Sequence, residues 1–238
     1  PGSGFFAFPR GARAGTCLHA ILEDWARGKG ELAELVEPAL KAYGLPLDWR
    51  DIATAQLERV LQTDLDGAGL TLASLQAARR LPELGFTFPV RDLDVARLRA
   101  LLTDPANGLA APLREAAARL EFDSLKGFLK GFIDLTFEYG GRWYIADYKS
   151  NWLGPDASYY GGERLLQALA GEHYYLQYLI YLVALRRFLR QRLTDFRDEQ
   201  LGGAFYLFLR GMPEAGVYFA RPDDALLDAL DRLFEEGR

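Results

Sequence analysis

Two aspartates and a lysine flank a pair of glycines in the segment of the sequence with the densest β-strand signal. Asp134 precedes Gly140-Gly141, and Asp147 and Lys149 follow it. If the glycines form a two-residue turn, the resulting register places Asp134 directly opposite Asp147, with Cβ atoms roughly 5 Å apart. Lys149 lies on the same face, because side chains alternate along a strand with period two.

Two opposed carboxylates repel each other unless a positive charge lies between them. A hard divalent cation such as Mg²⁺ is the natural occupant, because it takes one or two carboxylates together with water and phosphate. A neighbouring lysine could orient or deprotonate a water molecule, or neutralise developing negative charge. The alternative is an exposed hairpin in which Lys149 only balances the aspartates. Because Phe132, Ile133 and Ile145 make the strands apolar, we expect these charges at the end of a buried sheet and favour the site.

The composition limits the class of protein. The chain has 238 residues, of which 50% are hydrophobic and 26% charged, and its net charge is −5. These values are typical of an ordinary globular protein and exclude a disordered tail, a fibrous repeat and a disulfide-rich miniprotein. They also argue against a protein that captures nucleic acid by bulk positive charge.

Cys17 is the only cysteine, which excludes an internal disulfide, a CxxC pair and a cysteine-ligated zinc or iron–sulfur site. A lone cysteine fits a reducing cytoplasm. The sequence has no uncharged apolar run long enough to span a bilayer, so we expect no membrane partner. Since the chain begins at Pro1 without a methionine, we expect it to be a piece cut from a longer polypeptide.

The hydrophobic pattern predicts the elements that position these residues. Apolar residues at helical spacing predict helices over residues 16–27, 32–42, 52–65, 163–192 and 223–236, with a weak point in the fourth at Gly171. Asp92 is a candidate N-cap for a further helix through Leu102, and residues 105–112 are predicted to form a loop. Strands are predicted over residues 85–90 and 204–209 and on both sides of Gly140-Gly141. We therefore expect an α/β fold in a single domain, with a small mixed sheet flanked by helices, a mostly helical part (residues 1–80) and a core (residues 81–238).

The strand Gly131-Phe132-Ile133-Asp134-Leu135, followed by Asp147-Tyr148-Lys149, resembles the PD-(D/E)xK nuclease superfamily, and the string over residues 147–154 resembles its RecB-type nuclease domains, from the beta subunit family of exodeoxyribonuclease V. Further matching motifs occur in order at residues 8–11, 15–19, 176–181 and 206–211. The resemblance thus covers residues 8–211. It implies a restriction-endonuclease-like core.

The resemblance also implies roles for individual residues. His19, Asp134, Asp147 and the backbone carbonyl of Tyr148 would be the metal ligands, and Lys149 would be the catalytic lysine. Without the resemblance, a histidine at the apolar edge of a helix would be interpreted as a packed core residue. The family match instead favours His19 as a metal ligand.

Three more residues match positions that help to arrange the active site and the DNA strand in this family. Gln177 and Tyr181 are four residues apart and so share one face of a helix. By pattern alone, the tyrosines of this helix would be an aromatic core stripe, and the two interpretations are compatible because tyrosine buries its ring and presents its hydroxyl. Glu83 matches an acidic family position at looser spacing, and an ordinary surface glutamate is the alternative.

The implied function is Mg²⁺-dependent hydrolysis of DNA phosphodiester bonds, in a helicase–nuclease for double-strand break repair and recombination. Mn²⁺ could replace Mg²⁺, whereas Ca²⁺ is expected to bind without supporting much cleavage. The expected partners are DNA, single-stranded at the active site, a helicase region of the same polypeptide and the other subunits of a RecBCD-type complex in the bacterial cytoplasm. The alternatives are a non-catalytic nuclease-like docking module and a stand-alone PD-(D/E)xK exonuclease.

Basic side chains along the sequence are candidates for the DNA path: Arg10, Arg13, Lys126, Lys130, Arg186, Arg187, Arg190 and Arg192. The last four could equally form the solvated end of a helix. The acidic segment 223–236 could be a soluble face or a docking surface for a partner subunit.

Overall fold

The computed structural model describes residues 4–122 and 125–236, so residues 1–3, where the chain was expected to be cut, lie outside the described part. The described helices are α1 (Ala12–Ala26), α2 (Leu32–Ala42), α3 (Arg50–Gln62), α4 (Val95–Thr103), α5 (Ala111–Ala118), α6 (Gly162–Gly171), α7 (Tyr174–Arg192) and α8 (Asp224–Glu236). The strands are β1 (Arg80–Leu93), β2 (Leu125–Tyr139), β3 (Arg142–Lys149), β4 (Leu201–Phe208) and β5 (Val217–Ala220). None of these helices has the length and apolarity that crossing a bilayer requires.

The strands form one mixed sheet in the order β1-β2-β3-β4-β5, with helices flanking it. This confirms the predicted α/β class and the restriction-endonuclease-like core. The predicted break at Gly171 is also confirmed, because α6 ends there and α7 begins at Tyr174.

The β2–β3 hairpin has the predicted turn. Gly140 and Gly141 have φ values of 60° and 79°, a left-handed backbone that glycine adopts without steric cost. The antiparallel register runs from Tyr139 opposite Arg142 to Leu135 opposite Ala146. Continued by one position, this register would place Asp134 opposite Asp147, as predicted.

The chain divides into two compact units, each made of segments that are distant in sequence. The first consists of residues 4–84, 133–165 and 205–219 in the described range. In it α1 packs against α2 and α2 against α3, and their buried residues join those of the hairpin in one hydrophobic core. Leu18, Val36 and Leu57 from the helices and Leu135 from β2 are fully buried there.

The second unit consists of residues 85–122, 125–132, 166–204 and 220–236 in the described range. Here α4 packs against α5 and α8, and α7 packs against α8. Phe88 of β1 contacts Phe234 of α8, with ring centroids 5.6 Å apart. The single-domain organisation of the chain stays a prediction.

Several boundaries differ from the predictions. Asp92 is part of β1, and Asp94 is the N-cap of α4, where its Oδ1 accepts a hydrogen bond from the N–H of Ala96 at 2.7 Å. The predicted loop over residues 105–112 runs into α5, because Pro112 occupies the first helical turn, where its missing N–H costs nothing. β5 has only four residues and was missed for that reason.

Candidate active site

The predicted catalytic side chains come together at the ends of β2 and β3. Asp134 Oδ2 accepts a hydrogen bond from the backbone N–H of Tyr148 at 2.8 Å. Lys149 Nζ lies 2.6 Å from Asp147 Oδ1, which confirms that these two residues share a face of β3. Each side chain is therefore held by a contact from the neighbouring strand or from its own.

Burial sets the electrostatics of the pair. Asp147 is 3% exposed and Lys149 is 8% exposed. Burial, and then the charge of Asp134, raise the pKa of Asp147 to about 6, although Lys149 opposes this shift. The prediction of charges at the end of a buried sheet is thus confirmed. The predicted apolar surroundings do not include Phe132, because its side chain is 64% exposed.

Lys149 is fixed by further contacts with β4 and the chain that follows it. Its ammonium lies 4.9 Å from the ring centroid of Tyr206, within the range of a cation–π interaction. Its backbone carbonyl accepts a hydrogen bond from the N–H of Leu209 at 2.9 Å. The motif over residues 206–211 therefore positions the lysine.

His19 reaches the carboxylates from α1. A Cβ at Gly15, one helical turn earlier, would lie 2.7 Å from Ser150 Oγ, so α1 approaches the end of β3 closely and a larger residue would require that hydroxyl to rotate away. His19 Nδ1 lies 3.4 Å from Asp134 Oδ2, and its ring meets the Tyr148 ring edge-on at 6.0 Å. Burial lowers the pKa of His19, but the hydrogen bond to Asp134 and the charges of both aspartates outweigh it, so the pKa is raised.

Glu83 also lies within the electrostatic field of this site. Burial and then the charge of Asp134 raise the pKa of its carboxyl group. Its backbone has φ of 53°, a left-handed conformation that is strained for a residue with a side chain. Strained residues cluster at functional sites, so both observations favour the site role over the surface glutamate.

Replacing Glu83 by glycine should raise the free energy of unfolding by about 1 kcal/mol, because glycine adopts this backbone conformation without strain. The change also removes a carboxylate that the charge of Asp134 disfavours. Urea unfolding measures the effect, with Glu83→Ala as the control, since alanine loses the same charge but keeps the strain. Equal stability of the two variants would contradict the left-handed conformation.

Arg210 is a positioning residue whose role the sequence did not reveal. Its buried guanidinium donates hydrogen bonds to four backbone carbonyls, those of Phe5, Phe8, Pro9 and Ser150, at 2.8–3.1 Å. It thereby ties the segment before α1 to the residue after Lys149. The available signal was an arginine that directly follows a run of apolar residues in a buried strand, where a charge requires several partners.

Gln177 and Tyr181 belong to the second unit. Gln177 Nε2 donates a hydrogen bond to Tyr181 Oη at 3.0 Å, which confirms that they share one face of α7. The Tyr181 ring meets Phe86 edge-on at 5.6 Å, so it packs and presents its hydroxyl as predicted. Their action on the active site stays a prediction.

Three of the four candidate arginines at the end of α7 are engaged by acidic side chains of their own unit, and the fourth, Arg192, lies over the Phe188 ring. Arg186 is fully buried with Nη1 2.8 Å from Asp228, Arg187 pairs with Asp231, and Arg190 Nη2 lies 2.7 Å from Asp198. Both earlier interpretations of Arg186, a DNA contact and a solvated helix end, are therefore wrong. The acidic helix α8 is paired through Asp228 and Asp231 with its own chain, so it is not simply a soluble face.

The donor set at the hairpin fits a hard divalent cation. Two carboxylates and a backbone carbonyl are the oxygen ligands that such ions accept, and a buried carboxylate with a raised pKa is stabilised by a cation. Within residues 4–122 and 125–236, no three His, Cys, Asp or Glu side chains are already arranged as a metal cluster. Instead Asp147 contacts Lys149, and Asp134 contacts His19 and the Tyr148 N–H.

Comparison with known proteins places this geometry in context. A family profile described as the PD-(D/E)XK nuclease superfamily matches residues 6–237. The RecBCD enzyme subunit RecB of Escherichia coli is 38% identical over 233 residues, which are 95% of this chain and 19% of that protein. RecB of Mycobacterium tuberculosis is 34% identical over 279 residues, covering 100% of this chain and 25% of that protein. The chain thus spans about a fifth to a quarter of the length of these relatives.

Proposed function

The chain belongs to the PD-(D/E)XK nuclease superfamily, and on this premise we propose that it is the metal-dependent deoxyribonuclease domain of a RecB-type helicase–nuclease. The observation that carries the proposal is the buried pair of Asp147 and Lys149, 2.6 Å apart, on the strand beside Asp134. A buried ion pair contributes little net stability, since desolvation offsets its attraction. Its presence beside another carboxylate is better explained by chemistry.

In this proposal His19, Asp134, Asp147 and the carbonyl of Tyr148 hold Mg²⁺, or Mn²⁺ in its place. When bound, such a cation polarises the phosphate and lowers the pKa of a coordinated water. Lys149 orients the attacking water or neutralises the charge that develops on the phosphate, from the position that Asp147 and Tyr206 give it. Arg210 holds the end of β3, and Glu83, Gln177 and Tyr181 assist in arranging the site and the strand.

The two alternatives are weaker. A docking module that has lost catalysis would have no need to keep both carboxylates and the lysine, yet all three are present and in contact with partners. A stand-alone PD-(D/E)xK exonuclease would share the hairpin. The likeness to RecB, however, runs over 95% or more of the chain for the relatives described, which favours the RecB type.

The remaining parts of the proposal follow from those relatives, which are named as subunits of the RecBCD enzyme. We propose DNA as the substrate, single-stranded at the active site, and a helicase region in the same polypeptide. The further partners are the other subunits of a RecBCD-type complex, and the work is double-strand break repair and recombination in the bacterial cytoplasm.

The test is release of nucleotides from linear single-stranded DNA by the purified chain. We expect release with Mg²⁺ or Mn²⁺, none after removal of metal with EDTA, and little with Ca²⁺, whose flexible coordination does not fix the phosphate for attack. The activity must elute with the chain across a size-exclusion peak, which controls for contaminating nucleases. Equal release with and without EDTA, or no release with any of these metals, would contradict the proposal.

A further inference from the structure

One face of β2 carries exposed aromatic rings that alternate with lysines. Lys126, Phe128, Lys130 and Phe132 are two residues apart in turn, so their side chains share a face of the strand. We refer to these four residues as the β2 stripe. Phe128 is 68% exposed and Phe132 is 64% exposed, the highest values for large hydrophobic side chains in the described residues.

The opposite face of the same region is covered. A Cβ at Gly131 would lie 2.7 Å from the Phe86 ring, and Tyr181 of α7 packs on that ring. On the stripe side, a Cβ at Gly85 would lie 3.2 Å from the Phe132 ring. The outer part of β1 and β2 is therefore a half-buried sheet with one bare face, and bare aromatic side chains on such a face mark an interaction site.

The bare face is locally basic although the chain is acidic overall. Lys126 Nζ lies 3.3 Å from Asp92, in an exposed pair that contributes little stability. Lys130 and the exposed Arg91 of β1 form no ion pair with the part of the chain that the structure describes. Their charges are available to an anionic partner.

We propose that the β2 stripe is a binding surface for single-stranded DNA, with bases stacked on Phe128 and Phe132 and phosphates held by Lys130 and Arg91. Aromatic platforms beside a positive groove are how single strands are bound without sequence readout. A protein partner fits less well, because lysine is depleted from the cores of protein interfaces. The two rings are four residues, about 13 Å, apart along the strand, with a lysine between them.

This inference deepens the proposed function, and rests on it for the choice of partner. The stripe ends two residues before Asp134 in the chain.

The experiment measures affinity for a fluorescein-labelled oligothymidylate of about 16 nucleotides by fluorescence anisotropy. EDTA is present, so that the oligonucleotide is bound but not cleaved. Phe128→Ala should weaken binding by roughly 5- to 150-fold, the range for loss of one stacked base. Phe128→Trp should bind about as well as the wild-type chain, because tryptophan keeps an aromatic ring for stacking. Lys130→Gln should reduce the slope of log affinity against log salt concentration by about 0.7, as expected for one phosphate contact to a single strand.

Phe219→Ala is the matched control, because Phe219 is an exposed phenylalanine on β5 outside the stripe. Its affinity should equal that of the wild-type chain, and urea unfolding should show that all variants are folded. Wild-type affinity in Phe128→Ala, or absence of binding by the wild-type chain, would overturn the proposal. The proposal would also be overturned if Phe128→Ala changed the oligomeric state on size exclusion without changing the affinity for DNA, since that result assigns the stripe to a protein contact.

The two proposals fail separately. A wild-type chain that releases nucleotides with Mg²⁺ but binds the oligothymidylate equally well after Phe128→Ala would reject the stripe and leave the nuclease function in place. A chain that binds through the stripe but releases no nucleotides with any metal would reject the nuclease function and support the stripe as a single-strand surface.

Discussion

Asp147→Asn is expected to lower the rate of nucleotide release from linear single-stranded DNA with Mg²⁺ by at least about 1000-fold, because the charge that a metal ion stabilises in the transition state is worth several kcal/mol. Asparagine has nearly the same volume as aspartate, so the packing around this buried position is kept. Two effects on stability oppose each other: the charge that Asp134 disfavours is removed, but Lys149 loses its carboxylate. The loss should therefore be catalytic in a folded protein, as circular dichroism can verify.

The control is Asp51→Asn, which makes the same chemical change at an exposed position in the first turn of α3. It should retain wild-type activity. Lys149→Met separates metal binding by Asp147 from catalysis by Lys149. It should abolish nucleotide release while Mg²⁺ binding, measured by calorimetry, persists. Asp147→Asn should weaken both nucleotide release and Mg²⁺ binding. Activity of Asp147→Asn within tenfold of the wild type would contradict the site.

Arg210→Met should lower the free energy of unfolding by about 3 to 5 kcal/mol, since four buried or partly buried carbonyls lose a charged donor at once. Burial lowers the pKa of this guanidinium, but the group remains charged because its ordinary pKa is so high. Urea unfolding should show a midpoint lower by roughly 1 to 3 M. Arg210→Lys should recover little of the lost stability, because an ammonium cannot donate to all four carbonyls as the planar guanidinium does.

Arg50→Met is the control for the loss of an arginine as such. Arg50 pairs with Glu37 and Asp51 at the surface, where such pairs contribute little to stability. An unfolding midpoint of Arg210→Met no lower than that of Arg50→Met would show that the carbonyl contacts are not essential to the fold.

The hairpin and its charges were predictable because their determinants are local. A glycine pair with left-handed backbone fixes a two-residue turn, the turn fixes the register, and the period of two fixes the faces. Lys149 and Asp147 therefore share a face in the structure as they do in the sequence pattern. Helix spacing likewise predicted that Gln177 and Tyr181 would meet.

The errors arose where the outcome depends on what packs against an element. Phe132 looks like a core residue from its neighbours in sequence, yet its side chain is largely exposed. The arginines of α7 look like a basic patch, but α8, more than 30 residues further along the chain, supplies the aspartates that bury Arg186. A sequence pattern states which residues are apolar or charged, but not which partner arrives from a distance.

By itself the sequence determined the turn, the register and the set of chemical groups at the hairpin, because each follows from residues within about 20 positions of one another. Only the tertiary structure decided how those groups are held. His19 meets Asp134 because α1 approaches β3 at Gly15, and the end of β3 is held by an arginine 60 residues away. These contacts are decided by the burial of polar groups in a common core, where most buried donors and acceptors find a partner wherever it lies in the chain.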